Sequence, residues 1–196
     1  WDNVFPKSEK VDHKKVTFTN HFGITLAADQ YTPKDYEGML PALAVAGPFG
    51  AVKEQSSGLY AQTMSEKGYL TIAFDPSFTG ESGGDVRDVF SLDINTEDYQ
   101  AAVDYLSNLS NVDPEKIGII GICGWGGISL NAAAIDPWIK ATAAVTMYDM
   151  PQVGAWGYFD QWTAEERYAS KKQIAEQRTK EYSQQDLAKA GGCDDY

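Results

Sequence analysis

The 196-residue chain contains only two histidines, His13 and His21, and only two cysteines, Cys123 and Cys193. Two cysteines without metal-ligand or redox spacing exclude a disulfide framework and leave free thiols as the default. Basic residues are also scarce, with 16 Lys and Arg against 28 Asp and Glu and a formal net charge of -12. A phosphate backbone is repelled by such a surface, which excludes nucleic acid as a partner. No apolar run approaches the ~18 residues that a membrane helix needs, so a membrane span is excluded as well. Carboxylates are scattered rather than clustered and no phosphate-binding loop occurs, so neither a metal nor an organic cofactor is expected. The chain opens at Trp1 without a methionine or a charged-then-apolar leader, which leaves the compartment open, with a cytoplasmic location favoured.

What is present is a soluble-type composition, 43% hydrophobic and 22% charged, in a length that suits one core. Residues 15–20 and 24–32 alternate in period two around Asn20-His21-Phe22-Gly23, which predicts a half-exposed antiparallel hairpin at a sheet edge. Four short continuous apolar runs follow, Ala42 to Ala46, Tyr69 to Phe74, Ile117 to Ile122 and Ala141 to Met147. Each has the length of a strand buried on both faces, and together they read as a parallel sheet. Helical stretches at 54–67, at 96–109 after a cap at Asn95, and at 125–135 lie between the runs, and this alternation places helices on both sheet faces. Residues 1–150 therefore read as an α/β core and 151–196 as the start of a helical cap or insertion. In that second part Thr163-Ala-Glu-Glu166 is a capping box for a polar helix reaching about Leu187. The aromatics Trp156, Tyr158, Phe159 and Trp162 are expected to pack such a cap on the body, the alternative being that they line an acyl site.

The most informative stretch is Gly121-Ile-Cys-Gly-Trp-Gly-Gly127. A buried strand precedes it, a helix follows it, and small residues on both sides let the backbone turn sharply with Cys123 at the apex. A helix start behind the thiol would favour a thiolate and a developing oxyanion. A cysteine here is also acceptable as a small, inert core residue, and the glycines are what favour a nucleophile. The same pattern is less informative at Cys193, where acidic neighbours would raise a thiol pKa and no role is expected.

Three segments together resemble the α/β-hydrolase superfamily, in particular its dienelactone-hydrolase-like, peptidase-like and acyltransferase-like members. Gly121–Gly127 looks like the nucleophile elbow with cysteine in place of serine. Gly47-Pro-Phe-Gly-Ala-Val-Lys-Glu54 looks like the loop after the third strand, and Asp75-Pro-Ser-Phe-Thr-Gly-Glu-Ser-Gly-Gly84 like the loop after the fourth. The resemblance spans roughly residues 11 to 150. It implies an α/β-hydrolase fold, a mostly parallel sheet with an antiparallel N-terminal hairpin, that is incomplete at its C-terminal side. It also implies attack by Cys123 on a small-molecule acyl substrate, an ester, lactone, thioester or related bond. The oxyanion would be held by the backbone N–H of Gly124 and, by match to the family loop, of Phe49; Pro48 has no N–H to offer. Asp149, at the end of the predicted sixth strand, stands where some hydrolases place the acid.

The chain departs from the family at three places. Trp125 occupies the position where the elbow normally has glycine, so Gly126 is expected to take over the close packing. Gly47 replaces the histidine that opens the family's oxyanion loop. Both histidines precede Cys123, whereas the family order is nucleophile, acid, histidine; they are expected to be hairpin or surface residues. The expectation is that the histidine comes from a C-terminal segment or a second chain that completes the fold. The alternative is a non-catalytic binding or assembly protein that keeps the elbow as a structural turn.

Overall fold

The computed structural model describes residues 1–184 together with 187 and 188; Cys193, to which no role was assigned, lies outside the described residues. The chain divides into two compact units, Trp1–Asp149 and the part from Met150 onward. The first unit contains β1 (Val11–Thr19), β2 (Thr25–Pro33), β3 (Leu40–Ala46), α1 (Ser56–Ser65), β4 (Leu70–Phe74), α2 (Leu92–Ser107), β5 (Val112–Ile122), α3 (Gly124–Ile135) and β6 (Ala141–Val145). These strands form one six-stranded sheet in the order β1-β2-β4-β3-β5-β6. β1 and β2 pair antiparallel, as do β2 and β4, while β4, β3, β5 and β6 run parallel.

The period-two geometry of a strand sorts the apolar runs onto two faces. Ala42, Ala44, Ala46, Ile117 and Ile119 join Tyr99, Leu106, Trp125 and Ile128 of α2 and α3 in one core. Leu43, Val45, Ile120 and Ile122 join Ala61 of α1 and Phe5 of the N-terminal segment in the other. Continuous hydrophobicity in the sequence is thus two half-cores back to back. The end of β5 makes a close approach to α3: a Cβ on Gly121 would stand 2.1 Å from the carbonyl oxygen of Trp125.

Three expectations change at the level of local structure. The sixth strand, expected to be buried on both faces, is largely exposed and ends at Val145. The hairpin is not uniformly half-exposed, because β2 lies between β1 and β4 and is buried along most of its length, so β1 alone is the edge. Its polar residues are buried: Gln30 accepts from the Tyr105 hydroxyl at 2.7 Å, and Asp29 lies 3.1 Å from Nε2 of His13 without a hydrogen bond between them. Helix α2 starts at Leu92 with Ser91 as its cap, not at Asn95. The Asn95 side chain is spent elsewhere, its oxygen accepting from Ser91 N–H at 3.0 Å and its amide donating to Asp98 at 3.0 Å.

On the far side of the sheet β6 is largely exposed, and among the described residues no strand pairs with its outer edge. A groove of about 450 Å³ runs beside it, lined by Leu43, Met64, Tyr69, Ile120 and Thr142 among others.

The second unit consists of α4 (Met150–Trp156), a 3-10 turn at Tyr158–Asp160 and α5 (Ala164–Gln184). The capping box forms: Glu166 N–H donates to Thr163 Oγ1 at 3.2 Å, and the Glu166 carboxylate accepts from Thr163 N–H at 2.8 Å. The Arg167 guanidinium stacks over the Trp156 ring at 4.3 Å, and Tyr168, Ile174 and Tyr182 of α5 are exposed. No helix among the described residues is long and apolar enough to cross a membrane.

Candidate active site

β5 delivers the chain directly into α3, and the one residue between them is Cys123, with φ 59° and ψ -123°. That backbone conformation is costly for a residue with a Cβ and persists only where surroundings hold it, at about 1–3 kcal/mol. Three main-chain hydrogen bonds hold it here. Cys123 N–H donates to Val145 of β6 at 2.9 Å, and the Cys123 carbonyl accepts from both Gly126 and Tyr148 at 3.0 Å. The turn also depends on missing side chains. Gly121 has no room for a Cβ, Gly126 lies 3.0 Å from Met147 at its would-be Cβ, and Gly127 lies 2.8 Å from the Tyr148 carbonyl.

Gly126 therefore packs closely against the segment after β6, as expected of a turn with Trp125 in the usual glycine position. Trp125 itself is buried and wedged edge-on against Phe74 and Tyr99, at ring distances of 6.0 and 5.5 Å. Cys123 is a half-buried free thiol. Gly124 is the first residue of α3, so its N–H belongs to the helix-start donors that have no intrahelical acceptor.

Phe49 lies on the β3–α1 loop. β3 and β5 are neighbours with Ala46 paired to Gly121, so the Phe49 loop and the Cys123 turn leave the same edge of the sheet side by side. Phe49 and Trp125 line a common cavity of about 310 Å³, and the Phe49 ring tilts against Phe90 at 4.9 Å. Asp149 follows β6, and its Cα lies 3.5 Å from where a Gly127 Cβ would stand. The fold thus gathers Cys123, Gly124, Phe49 and the Asp149 backbone around the C-terminal ends of three adjacent strands.

The histidines are elsewhere. His13 is on β1, and three strands separate β1 from β5, roughly 19 Å at the usual spacing of about 4.8 Å. His13 faces the fully buried Asp29, whose carboxyl is pushed up by burial against the pull of His13. His21 is exposed in the β1–β2 turn, and its Nδ1 is hydrogen-bonded to Glu97, which raises its pKa above the usual histidine value. Among the described residues no group of three or more His, Cys, Asp or Glu is placed to hold a metal ion.

The sequence did not flag the charged lock that fixes the Phe49 loop. Lys53, at the end of that loop, is 1% exposed, and its ammonium donates to Glu54 at 2.6 Å, Asp75 at 3.0 Å and Glu81 at 2.6 Å. Asp75, at the end of β4, also accepts from the backbone N–H groups of Lys53 at 2.7 Å and Glu81 at 2.9 Å. Burial works against the Lys53 charge, but the contacts to Glu54, Glu81 and Asp75 outweigh it and hold the pKa above the usual lysine range. Gly80 is required beside this carboxylate, which would lie 2.3 Å from its Cβ.

A second buried carboxylate, Asp98, gathers Ser77, Asn20 and Asn95 within 3.0 Å. Its pKa is raised by burial, with those hydrogen bonds pulling against the rise. Ser82 serves the turn, donating to the Asp75 carbonyl at 2.6 Å and accepting from Ala27 N–H at 2.8 Å.

A mostly parallel open sheet, helices on both faces and a strained residue between β5 and α3 define an α/β-hydrolase fold. The chain belongs to the family described as X-Pro dipeptidyl-peptidase (S15 family), whose profile matches residues 23–192. It is 60% identical over 182 residues to the uncharacterized protein PA2218 of Pseudomonas aeruginosa, covering 92% of this chain and 49% of that protein. The crystal structure of PA2218 superposes with a TM-score of 0.94 at 55% identity, over 99% of this chain and 63% of that one. A thiohydrolase of Aspergillus aculeatus, aneE, is 31% identical over 138 residues, 70% of this chain and 42% of that protein. A Klebsiella pneumoniae protein assigned as a dienelactone hydrolase shares the fold, with a TM-score of 0.59 at 21% identity over 70% of this chain and 60% of that one. The chain spans about half the length of the curated relatives it matches.

Proposed function

We propose that this chain carries the nucleophile and oxyanion hole of an acyl hydrolase acting on an ester, lactone, thioester or related bond. The observation that carries the reading is Cys123 held at φ 59° between β5 and α3, a backbone conformation that glycine would adopt without strain, with its half-buried side chain packed against the core of Leu43, Val45, Ile120 and Ile122. The 31% identity to a thiohydrolase supports acyl chemistry.

In the proposed reaction the Cys123 thiolate attacks the carbonyl carbon. A carbon–sulfur bond forms, and the carbonyl electron pair moves onto oxygen, where the N–H groups of Gly124 and Phe49 stabilise it. Collapse restores the carbonyl and expels the leaving oxygen or sulfur, which takes up the proton the thiol released. Water then cleaves the thioester to the carboxylic acid and the free thiol.

The base for both proton transfers is assigned to sequence outside these 196 residues, because His13 and His21 are on or beside the opposite edge of the sheet. A completing segment or second chain is consistent with the open edge of β6 and the apolar groove beside it. Asp149 is the proposed acid that would orient such a histidine.

A thiol-reagent titration tests the assignment. Cys123 is expected to react faster than Cys193, whose acidic neighbours disfavour a thiolate. A Cys123 that is inert in the folded chain would favour a non-catalytic binding or assembly protein instead.

A further inference from the structure

The cavity beside the elbow has a selective lining. Its volume of about 310 Å³ is at the lower end of the range for small-molecule pockets and equals roughly ten waters at about 30 Å³ each. Phe49 and Phe90 form one wall as a tilted ring pair at 4.9 Å, and Val89, Pro48 and Trp125 also line the space. Trp125 is 3% exposed and fixed edge-on by two other rings, so that part of the lining is rigid.

The polar side chains that line the cavity are Thr79, Asp88 and Asn95, and none of them carries a positive charge. Asn95 reaches the cavity, but its oxygen is taken by Ser91 N–H and its amide by Asp98. No Lys, Arg or His lines the space, and the ionisable residue that does is the acidic Asp88. An anion entering here would meet no Lys, Arg or His among the lining residues. An aromatic ring would meet other rings in the tilted arrangements that such side chains favour. Cys123 is not part of the lining, whereas Trp125, two positions later, is. The cavity therefore accommodates a distal group and leaves the reacting carbonyl to the elbow.

We propose that this cavity binds the uncharged aryl-bearing portion of the substrate, which makes arylalkyl esters or thioesters the class the site takes. The inference rests on the acyl-hydrolase reading for the purpose of the pocket, but its test does not depend on thiol chemistry. The full 196-residue chain carrying Cys123→Ala is titrated with methyl 3-phenylpropanoate while the Trp125 indole N–H is followed by NMR. A saturable shift is expected, with at least tenfold weaker binding of methyl hexanoate and of the 3-phenylpropanoate anion. Phe90→Ala, at a position 41% exposed, is expected to weaken ester binding at least tenfold, and Val89→Trp, which fills the cavity, to abolish it.

Absence of a saturable shift overturns the proposal. So does equal affinity for the alkyl ester or the anion, or affinity unchanged in both variants. Ester binding alongside an inert Cys123 in the wild-type chain would sink the hydrolase reading and leave the pocket standing; a reactive Cys123 without ester binding would do the reverse.

Discussion

Replacing Lys53 with methionine removes the buried cation of the lock that fixes the Phe49 loop and leaves the more exposed Lys15, 3.1 Å from Glu81 and 4.0 Å from Glu54. The hydrocarbon stem keeps its packing, so the effect reports the charge. Asp75 is fully buried and loses its ammonium partner at 3.0 Å, while Glu54 is 15% and Glu81 54% exposed in their side chains. Water screens the last of these, so Glu81 adds little. Removing one partner of a buried pair costs about 3–5 kcal/mol. The backbone N–H groups of Lys53 and Glu81 still hold the Asp75 carboxylate in the variant, which places the expected loss at the low end, about 3 kcal/mol. At about 2–4 °C per kcal/mol for a chain of this size, the midpoint of thermal unfolding should fall by about 6–12 °C. Urea unfolding followed by circular dichroism measures the same quantity at constant temperature. Adding Asp75→Asn should then cost less than the sum of the single changes, with a coupling of about 1–3 kcal/mol, because the stranded charge is gone. A loss below about 1 kcal/mol for Lys53→Met, or strict additivity in the double variant, would refute the account of this lock.

Other consequences can be checked independently. Gly121→Ala should destabilise by about 3 kcal/mol, the upper end for overpacking, because its Cβ meets backbone at 2.1 Å; Gly126→Ala, which meets only the Met147 residue from 3.0 Å, should cost about 1 kcal/mol. Urea denaturation of both variants tests this ranking. His21 should titrate above 6.5 by NMR, because Glu97 favours its charged form. Its contribution to stability is full below the unfolded value and is lost as pH rises through the higher folded value. His21→Gln should flatten the stability profile in that interval, and Glu97→Gln should bring the His21 titration back toward the ordinary value.

The parts of the fold legible in the sequence are those where local pattern and global position agree. Ile117 to Ile122 reads as a buried strand because both of its faces are covered, and the glycines around Cys123 mark the turn because a Cβ on Gly121 or Gly127 would meet backbone at 2.1 and 2.8 Å. The Thr163 capping box is legible because both of its partners lie within one helical turn. β2 misleads because Asp29 and Gln30 look like solvent-facing residues, and only pairing with β1 and β4 buries them. Asn95 misleads because a cap and a buried bridge to Asp98 use the same side chain. Lys53 carries no local signal at all: its partners Asp75 and Glu81 lie 22 and 28 residues away, so its burial exists only once β3 and β4 are side by side. At the candidate site, the proposed positions of Cys123 and Gly124 follow from the turn itself. Phe49 required the resemblance of its loop, since nothing in the composition of that loop marks one amide over another.

The central claim, that Cys123 is an acyl-accepting nucleophile, is tested most directly by intact mass and peptide mapping after incubation with an aryl thioester at neutral pH. The account predicts one acyl group per chain, located on Cys123 and absent in Cys123→Ala; with neither histidine near the elbow, deacylation should be slow enough for the adduct to accumulate. No adduct on Cys123, or acylation of Cys193 to the same extent, would contradict it.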